Sequence, residues 1–274
     1  MFSYRHIFHI GNLADVLKHT TIVACMKHLL KKEKPFVVID THAGAGKYSL
    51  TDPLGRNKME WESGLGKILA LSEKKIQLPS IMTDYLKLVT IHNKNKKLKN
   101  IPGSPILASM LLRKNDRLWA FELHPNEFKN LEKNLIYSNK KIIVEQSDGF
   151  NSYRKLLPPI SRRGLIFIDP PYEDRKDYEK VFSYVKEGLK KFATGIFVVW
   201  LPNIQRYEVK KALKKFNDLK VKNLYHVKVQ LQKDKPDSLG LRGSNLIIIN
   251  PPYGIIPKLD ELSSFMKNTR ELHE

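Results

Sequence analysis

Several short β-rich runs in this chain end in Asp, Glu, Asn or Pro, and four of them are apolar without alternation. These are Phe36 to Asp40, Gly164 to Asp169, Gly195 to Trp200 and Asn245 to Ile249. Strands buried on both faces read this way, as in a parallel sheet covered by helices. Three further runs, Arg117 to Glu122, Lys141 to Glu145 and Leu224 to Val229, have strand length. Helical stretches lie between them at Pro125 to Ser138, Tyr178 to Phe192 and Tyr207 to Phe216. Strand and helix in alternation predict a doubly wound α/β fold with a mostly parallel sheet. The short, turn-rich link from Gln230 to Ser244 predicts a terminal antiparallel hairpin.

One interval is too long. Asp40 and Glu122 lie 82 positions apart, where a strand–helix–strand unit needs about 20. We therefore expect one domain over residues 1–274 with a helical insertion at 50–109, inside the first crossover. The insertion carries helix-like stretches near Gly64 to Ser72 and Ile81 to His92. It also carries the basic run Lys94-Asn95-Lys96-Lys97-Leu98-Lys99, either a solvated loop or a phosphate-contacting lobe.

Lys and Arg total 48 against 28 Asp and Glu, a formal net charge of +20. A surplus that large points to a polyanion, because each phosphate neutralised releases condensed counterions. Cys25 is the lone cysteine, which excludes an intramolecular disulfide and a Cys-rich zinc site and predicts a reducing, cytoplasmic setting. No apolar run approaches the ~18 residues of a membrane span. The first 18 residues already carry Arg5, His6, His9 and Asp15 and lack an apolar signal core, so no targeting segment is expected.

The first apolar run leads into Asp40-Thr41-His42-Ala43-Gly44-Ala45-Gly46. Glycines at a strand-to-helix turn let the backbone approach a ligand closely. A dinucleotide fingerprint needs a third glycine where Ser49 stands, and a P-loop fails at Thr41 and Tyr48. What remains is an acid-x-x-x-Gly-x-Gly turn, similar to the nucleoside-binding turn of class I methyltransferases. Glu122 follows the second run, where an acid can accept bonds from ribose hydroxyls or simply face solvent near a helix start. Asp148, in Ser147-Asp148-Gly149-Phe150, can accept from an adenine amine or cap a helix.

The sharpest string is Asp169-Pro170-Pro171-Tyr172, directly after a buried run. Two prolines stop the strand and stiffen the turn. The Asp169 carboxylate and the Pro170 carbonyl can then accept both hydrogens of one exocyclic amine and aim its lone pair at an electrophilic methyl. Tyr172 offers a face for an unstacked base. Such an in-line displacement needs positioning rather than a metal or covalent nucleophile. A second string, Asn250-Pro251-Pro252-Tyr253, follows the last run. Chain order assigns it a structural role. Asp15 to Leu30 has helical periodicity with Asn12 as cap, and its His19 reads from periodicity as a buried structural histidine. The histidines lack the cysteine or carboxylate partners of a zinc site.

These strings resemble the bacterial 23S ribosomal RNA adenine-N6 methyltransferase J family. The resemblance runs through Tyr4-Arg5-His6, the stretch from Gly11 to His19, the Asp40 to Gly46 turn and Pro102-Gly103-Ser104-Pro105. It continues through Glu122-Leu123-His124-Pro125, Asp148-Gly149-Phe150, Ser161 to Gly164 and Asp169 to Tyr172. It implies a Rossmann-like class I fold and S-adenosylmethionine at His19, His42, Gly44, Ser104, Glu122, Asp148, Gly149 and Asp169. It also implies Asp169, Pro170 and Tyr172 as the catalytic set. Tyr4, Arg5, His6, Lys18 and Tyr172 are expected on the substrate side, with 23S ribosomal RNA as partner and a monomer as the working unit. Rival readings are a DNA adenine methyltransferase, a non-catalytic RNA-binding protein and, from Asn250 to Tyr253, a protein glutamine methyltransferase.

Overall fold

The computed structural model describes residues 9–51, 60–136, 140–230 and 243–271. From the amino end, α1 (Leu13–Leu29) leads to β1 (Val37–Asp40) and the three-residue β2 (Lys47–Ser49). A π-helical turn at Glu62–Gly66, α2 (Lys67–Glu73), α3 (Ser80–His92), β3 (Asn100–Pro102) and α4 (Ser104–Leu111) follow. Then come β4 (Arg117–Phe121), α5 (Pro125–Leu135), β5 (Lys141–Glu145), α6 (Gly149–Ser152) and β6 (Gly164–Ile168). The chain continues with α7 (Asp177–Lys191), β7 (Ile196–Asn203), α8 (Tyr207–Asn217), β8 (Leu224–Gln230), β9 (Gly243–Ile249) and α9 (Ile256–Glu271).

Seven strands form one sheet in the order β5-β4-β1-β6-β7-β9-β8. Every pairing from β5 to β7 is parallel, and β9 runs antiparallel to both β7 and β8. This is the doubly wound α/β sheet with a terminal hairpin that the apolar runs predict. Val38, Ile39, Leu165 to Ile168, Phe197 to Val199 and Ile247 to Ile249 are all buried. Burial on both faces is why these runs do not alternate. Each such side chain contributes ~1.5–3 kcal/mol of apolar burial.

The topology also sets the site. From β1 the chain winds outward through β4 and β5, then returns to the other side of β1 with β6 and β7. The crevice at such a reversal, outside the carboxyl ends of the strands, is where open α/β sheets take ligands. Asp40 is level with Ala120 on one side and Phe167 on the other. The residues just beyond those strands, Glu122 and Asp169, therefore reach the same edge.

β2, β3 and α9 lie outside the sequence reading. β2 and β3 pair antiparallel as a separate ribbon, Lys47 opposite Pro102 and Ser49 opposite Asn100. α9 occupies a stretch to which the sequence reading assigns no element, and it buries Leu259, Leu262 and Met266. α1 begins as expected, with the Asn12 side chain accepting from Asp15 N at 3.0 Å. It is not amphipathic, however. Val16, Leu17, Ile22, Val23 and Met26 are buried, and so are Asp15, Lys18, His19, Thr20 and Thr21. No helix among the described residues is long and apolar enough to cross a membrane.

Candidate active site

The carboxyl edge of the sheet opens into a cleft lined by His19, His42, Gly44, Ser104, Glu122, Asp148, Gly149 and Asp169. All eight residues expected to hold a cofactor meet there, although they come from α1, four strand ends and the start of α4. The local causes are visible. Gly44 adopts φ +59, and a Cβ on it would stand 2.2 Å from the Tyr48 hydroxyl. Gly149 opens α6, and a Cβ there would stand 2.0 Å from the Thr41 carbonyl oxygen. Glycine is thus required at both points for the loops to close around the cleft.

Glu122 is fixed by two backbone donors, Gly44 N to Oε2 at 2.8 Å and His124 N to Oε1 at 2.7 Å. Burial raises its pKa, and the bonds from His124 and Gly44 oppose that rise. Asp148 does act as a cap, accepting from Phe150 N at 2.9 Å, and it also faces the cleft. Burial pushes Asp40 up to about 7, against bonds from the Ser104 hydroxyl and the His42 N–H and with added push from Asp169 and Glu122. Its buried Oδ1 has no hydrogen-bond partner among the described residues. The His42 ring is held down to about 3 by burial and by Lys180, and packs edge-on to Phe150 at 4.8 Å. Its imidazole is therefore neutral at physiological pH.

In a chain with a net charge of +20, this cleft is acidic. Glu122, Glu127, Asp148, Asp169, Glu173, Asp174 and Asp177 line it, against a single lysine, Lys180. Such a lining favours a ligand bearing positive charge and hydroxyls and disfavours phosphate.

A second hollow lies on the other side of the Asp169 to Tyr172 turn. Asp169 and Pro170 border the first cleft, Pro171 borders both, and Tyr172 borders the second together with Lys18, Tyr178, Trp200 and Arg206. The turn thus borders both an acidic cleft and a hollow with aromatic sides, in which Lys18 and Arg206 are matched by Asp15 and Glu173. Tyr172 has φ +53, a sparsely populated conformation for a non-glycine residue. Its hydroxyl donates to the Trp200 carbonyl, and one ring face stacks on Tyr178 at 4.6 Å. Tyr172 is 4% exposed, so the freely presented stacking surface expected from sequence is reduced to what its other face offers.

Lys18 was expected to reach toward substrate. The structure buries it: its ammonium donates to Asp169 Oδ2 at 2.7 Å, lies 2.8 Å from Asp15 Oδ1, and sits 4.5 Å from the Trp200 ring centroid. Asp15 accepts in turn from Gly11 N at 2.9 Å. Asp15, Lys18 and His19 stand at i, i+3 and i+4 of α1, one stripe whose His19 lines the cleft and whose Asp15 and Lys18 line the second hollow. Asp15, Trp200 and Tyr178 escaped the sequence reading. Three polar residues at helical spacing inside an otherwise buried helix were the signal for Asp15. Tyr4, Arg5 and His6 lie outside the described residues.

The second Pro-Pro-Tyr string lies elsewhere. β9 is reversed, so its last residue, Ile249, is level with Phe197 near the start of β7. Asn250 is therefore at the end of the sheet opposite the cleft. Its amide donates to the carbonyls of Ala193 and Gly195, both at 2.8 Å, and Tyr253 points into solvent.

Known proteins similar to this chain cover nearly all of it. The family described as "Ribosomal RNA large subunit methyltransferase D, RlmJ" matches residues 33–272. A relative from Escherichia coli, "Ribosomal RNA large subunit methyltransferase J", is 38% identical over 262 residues, 96% of this chain and 91% of that protein. A Haemophilus influenzae relative of the same name is 34% identical over 98% of this chain and 94% of its own. A crystal structure from Legionella pneumophila superposes with a TM-score of 0.87 at 34% identity, covering 95% and 94% of the two chains.

Proposed function

Since the chain belongs to the RlmJ family of ribosomal RNA large subunit methyltransferases, we propose that it methylates the exocyclic N6 of an adenine in 23S ribosomal RNA. The observation that carries this reading is the Asp169 to Tyr172 turn standing between an acidic cleft and a hollow walled by Tyr172, Tyr178 and Trp200. An in-line transfer needs the attacking nitrogen, the methyl carbon and the sulfur leaving group in one line, so donor and acceptor must meet at a shared border, and this turn is the border of both spaces.

The residues of the cleft fit S-adenosylmethionine. Its carboxylates complement a sulfonium and an ammonium, the Glu122 carboxylate suits a ribose diol, and the glycines at 44 and 149 leave room for a nucleoside. When bound, this cofactor supplies a methyl group activated by positive sulfur. The chain supplies the alignment. A target adenine leaves its stack and enters the hollow beside Tyr172, Tyr178 and Trp200. Lys18 occupies one side of Asp169 Oδ2, so the other carboxylate oxygen and the Pro170 carbonyl remain for the two amine hydrogens. His19, His42 and Ser104 complete the cofactor side, and Tyr4, Arg5 and His6 the substrate entrance. Residues 50–109 are read as an insertion subdomain within one domain.

The test is direct. Purified protein, labelled S-adenosylmethionine and transcribed 23S RNA should yield N6-methyladenosine after nuclease digestion, and Asp169→Ala should abolish it while leaving the fold largely intact. Equal or better labelling of duplex DNA in competition would favour the DNA rival. Full activity of the Asp169 variant would refute the assignment.

A further inference from the structure

We propose that the exposed face of α8 is the track for the RNA strand next to the target adenine, with Tyr207 as a stacking platform for a flanking base. This rests on the function proposed above. The helix starts at the rim of the substrate-side hollow: Arg206, which lines that hollow, is its N-cap, and Tyr207 is its first residue. Tyr207 is 74% exposed, unlike the buried Tyr172 and Tyr178 beside it.

From Tyr207 the exposed positions continue at Lys210, Lys211 and Lys214. That is i, i+3, i+4 and i+7, a single stripe along the helix. The opposite side is the packing face, with Val209, Ala212 and Phe216 buried. The acid of this helix is turned off the stripe, since Glu208 lies 3.5 Å from Arg175. Lys215, also off the stripe, is paired with Glu179. The stripe is therefore one aromatic ring followed by three ammonium groups, leading away from the hollow.

Charge complementarity selects the occupant. The cofactor cleft is lined with carboxylates and repels phosphates, so a strand whose base enters the second hollow must carry its backbone away on another side. A ring that stacks any base, followed by cations spaced along a helix, is the usual composition of a single-strand binding surface. A bare solvated helix face would explain the lysines but not a large aromatic ring kept in water at the mouth of a pocket.

Two variants test this, Tyr207→Ala and the pair Lys210→Gln with Lys214→Gln, beside a control pair at exposed sites just past the end of α2, Lys74→Gln with Lys75→Gln. Binding to transcribed 23S RNA fragments is measured by filter binding across a salt series, and methylation kinetics on the same RNA. Tyr207→Ala should weaken binding and raise the RNA KM roughly 5- to 100-fold, the worth of one stacked base. The α8 lysine pair should lower the slope of log affinity against log salt by about 1.4, two single-strand phosphate contacts. The control pair should leave both unchanged. Wild-type affinity and slope in the α8 variants, or equal losses in the control, overturn the proposal. A lysine effect without a tyrosine effect overturns the stacking platform. Because binding is read separately from methyl transfer, absence of methylation in the unaltered chain would sink the function reading without deciding this one.

Discussion

The ammonium of Lys18 lies 2.7 Å from Asp169 Oδ2, joining the first helix to the turn after β6 across 151 positions of sequence. Asp15 closes the arrangement from behind. The three side chains are 5%, 12% and 2% exposed, so the carboxylate expected to hold the target amine is itself held in one orientation by a buried cation.

Lys18→Met should therefore act twice. It leaves two nearly buried carboxylates without their cation, a change that typically costs ~3–5 kcal/mol, and it frees Asp169 to rotate. We expect a lower melting temperature and a kcat reduced roughly 10²-fold or more, with S-adenosylmethionine affinity little changed. Adding Asp15→Asn should recover stability without recovering turnover. Recovery of both would make Lys18 a purely structural residue.

Tyr172→Phe should separate the ring from its hydroxyl. The hydroxyl donates to the Trp200 carbonyl in a buried setting, and removing one partner of such a bond costs ~1–3 kcal/mol. The ring, its stack on Tyr178 and its remaining face are kept. Urea denaturation should register the loss while the KM for RNA stays near wild type. A large KM change with unchanged stability would contradict this division.

Asn250→Ala should destabilise by ~1–3 kcal/mol, because two carbonyls at the start of β7, those of Ala193 and Gly195, lose their donor. RNA methylation per folded molecule should not change, as Asn250 stands at the wrong end of the sheet. Loss of activity in a variant of normal stability would reopen the reading of Asn250 to Tyr253 as a catalytic turn.

The sheet was legible because strands buried on both faces leave unbroken apolar runs, and the acids at 40, 122 and 169 were legible because they stop those runs at one edge. What escaped detection depends on distant partners. β2 and β3 have three residues each and exist through the pairing of Lys47 with Pro102. α9 is unassigned in the sequence reading, although Pro257 is tolerated in a first helical turn and Leu259, Leu262 and Met266 keep helical spacing. Nothing local in Lys18 announces Asp169, and nothing in Asp169 to Tyr172 announces that the tyrosine turns back to Trp200 at positive φ.

Gly44 offers a two-step test of the cofactor turn. Gly44→Ala places a Cβ 2.2 Å from the Tyr48 hydroxyl, whereas the next Tyr48 atom is 3.6 Å away. It also puts alanine at φ +59, a penalty of roughly 1–2 kcal/mol. The single variant should lose S-adenosylmethionine binding and stability. Adding Tyr48→Phe removes the colliding oxygen at the expense of its bond from Ala45 N. The double variant should regain part of the cofactor affinity seen by calorimetry, leaving the left-handed backbone cost. Equal affinities in single and double variants would show that the collision is not what matters.

Asp40 and His42, two positions apart, should pull the stability of the fold in opposite directions with pH. Asp40 is raised from 3.8 to about 7, chiefly by burial. The folded state then holds a proton that the unfolded state has lost, so its contribution falls as pH rises from about 4 to about 7. His42 is lowered from 6.5 to about 3, again chiefly by burial. There the unfolded state holds the extra proton, so the contribution rises with pH between about 3 and 6.5. Between about 4 and 6.5 the two slopes oppose each other, and their sum in the unaltered chain should be nearly flat. Denaturant titrations at a series of pH values can separate them. Relative to the unaltered chain, Asp40→Asn should tilt the profile upward with pH across that window, and His42→Gln should tilt it downward. Identical pH profiles for the two variants would mean that neither group titrates as its burial demands.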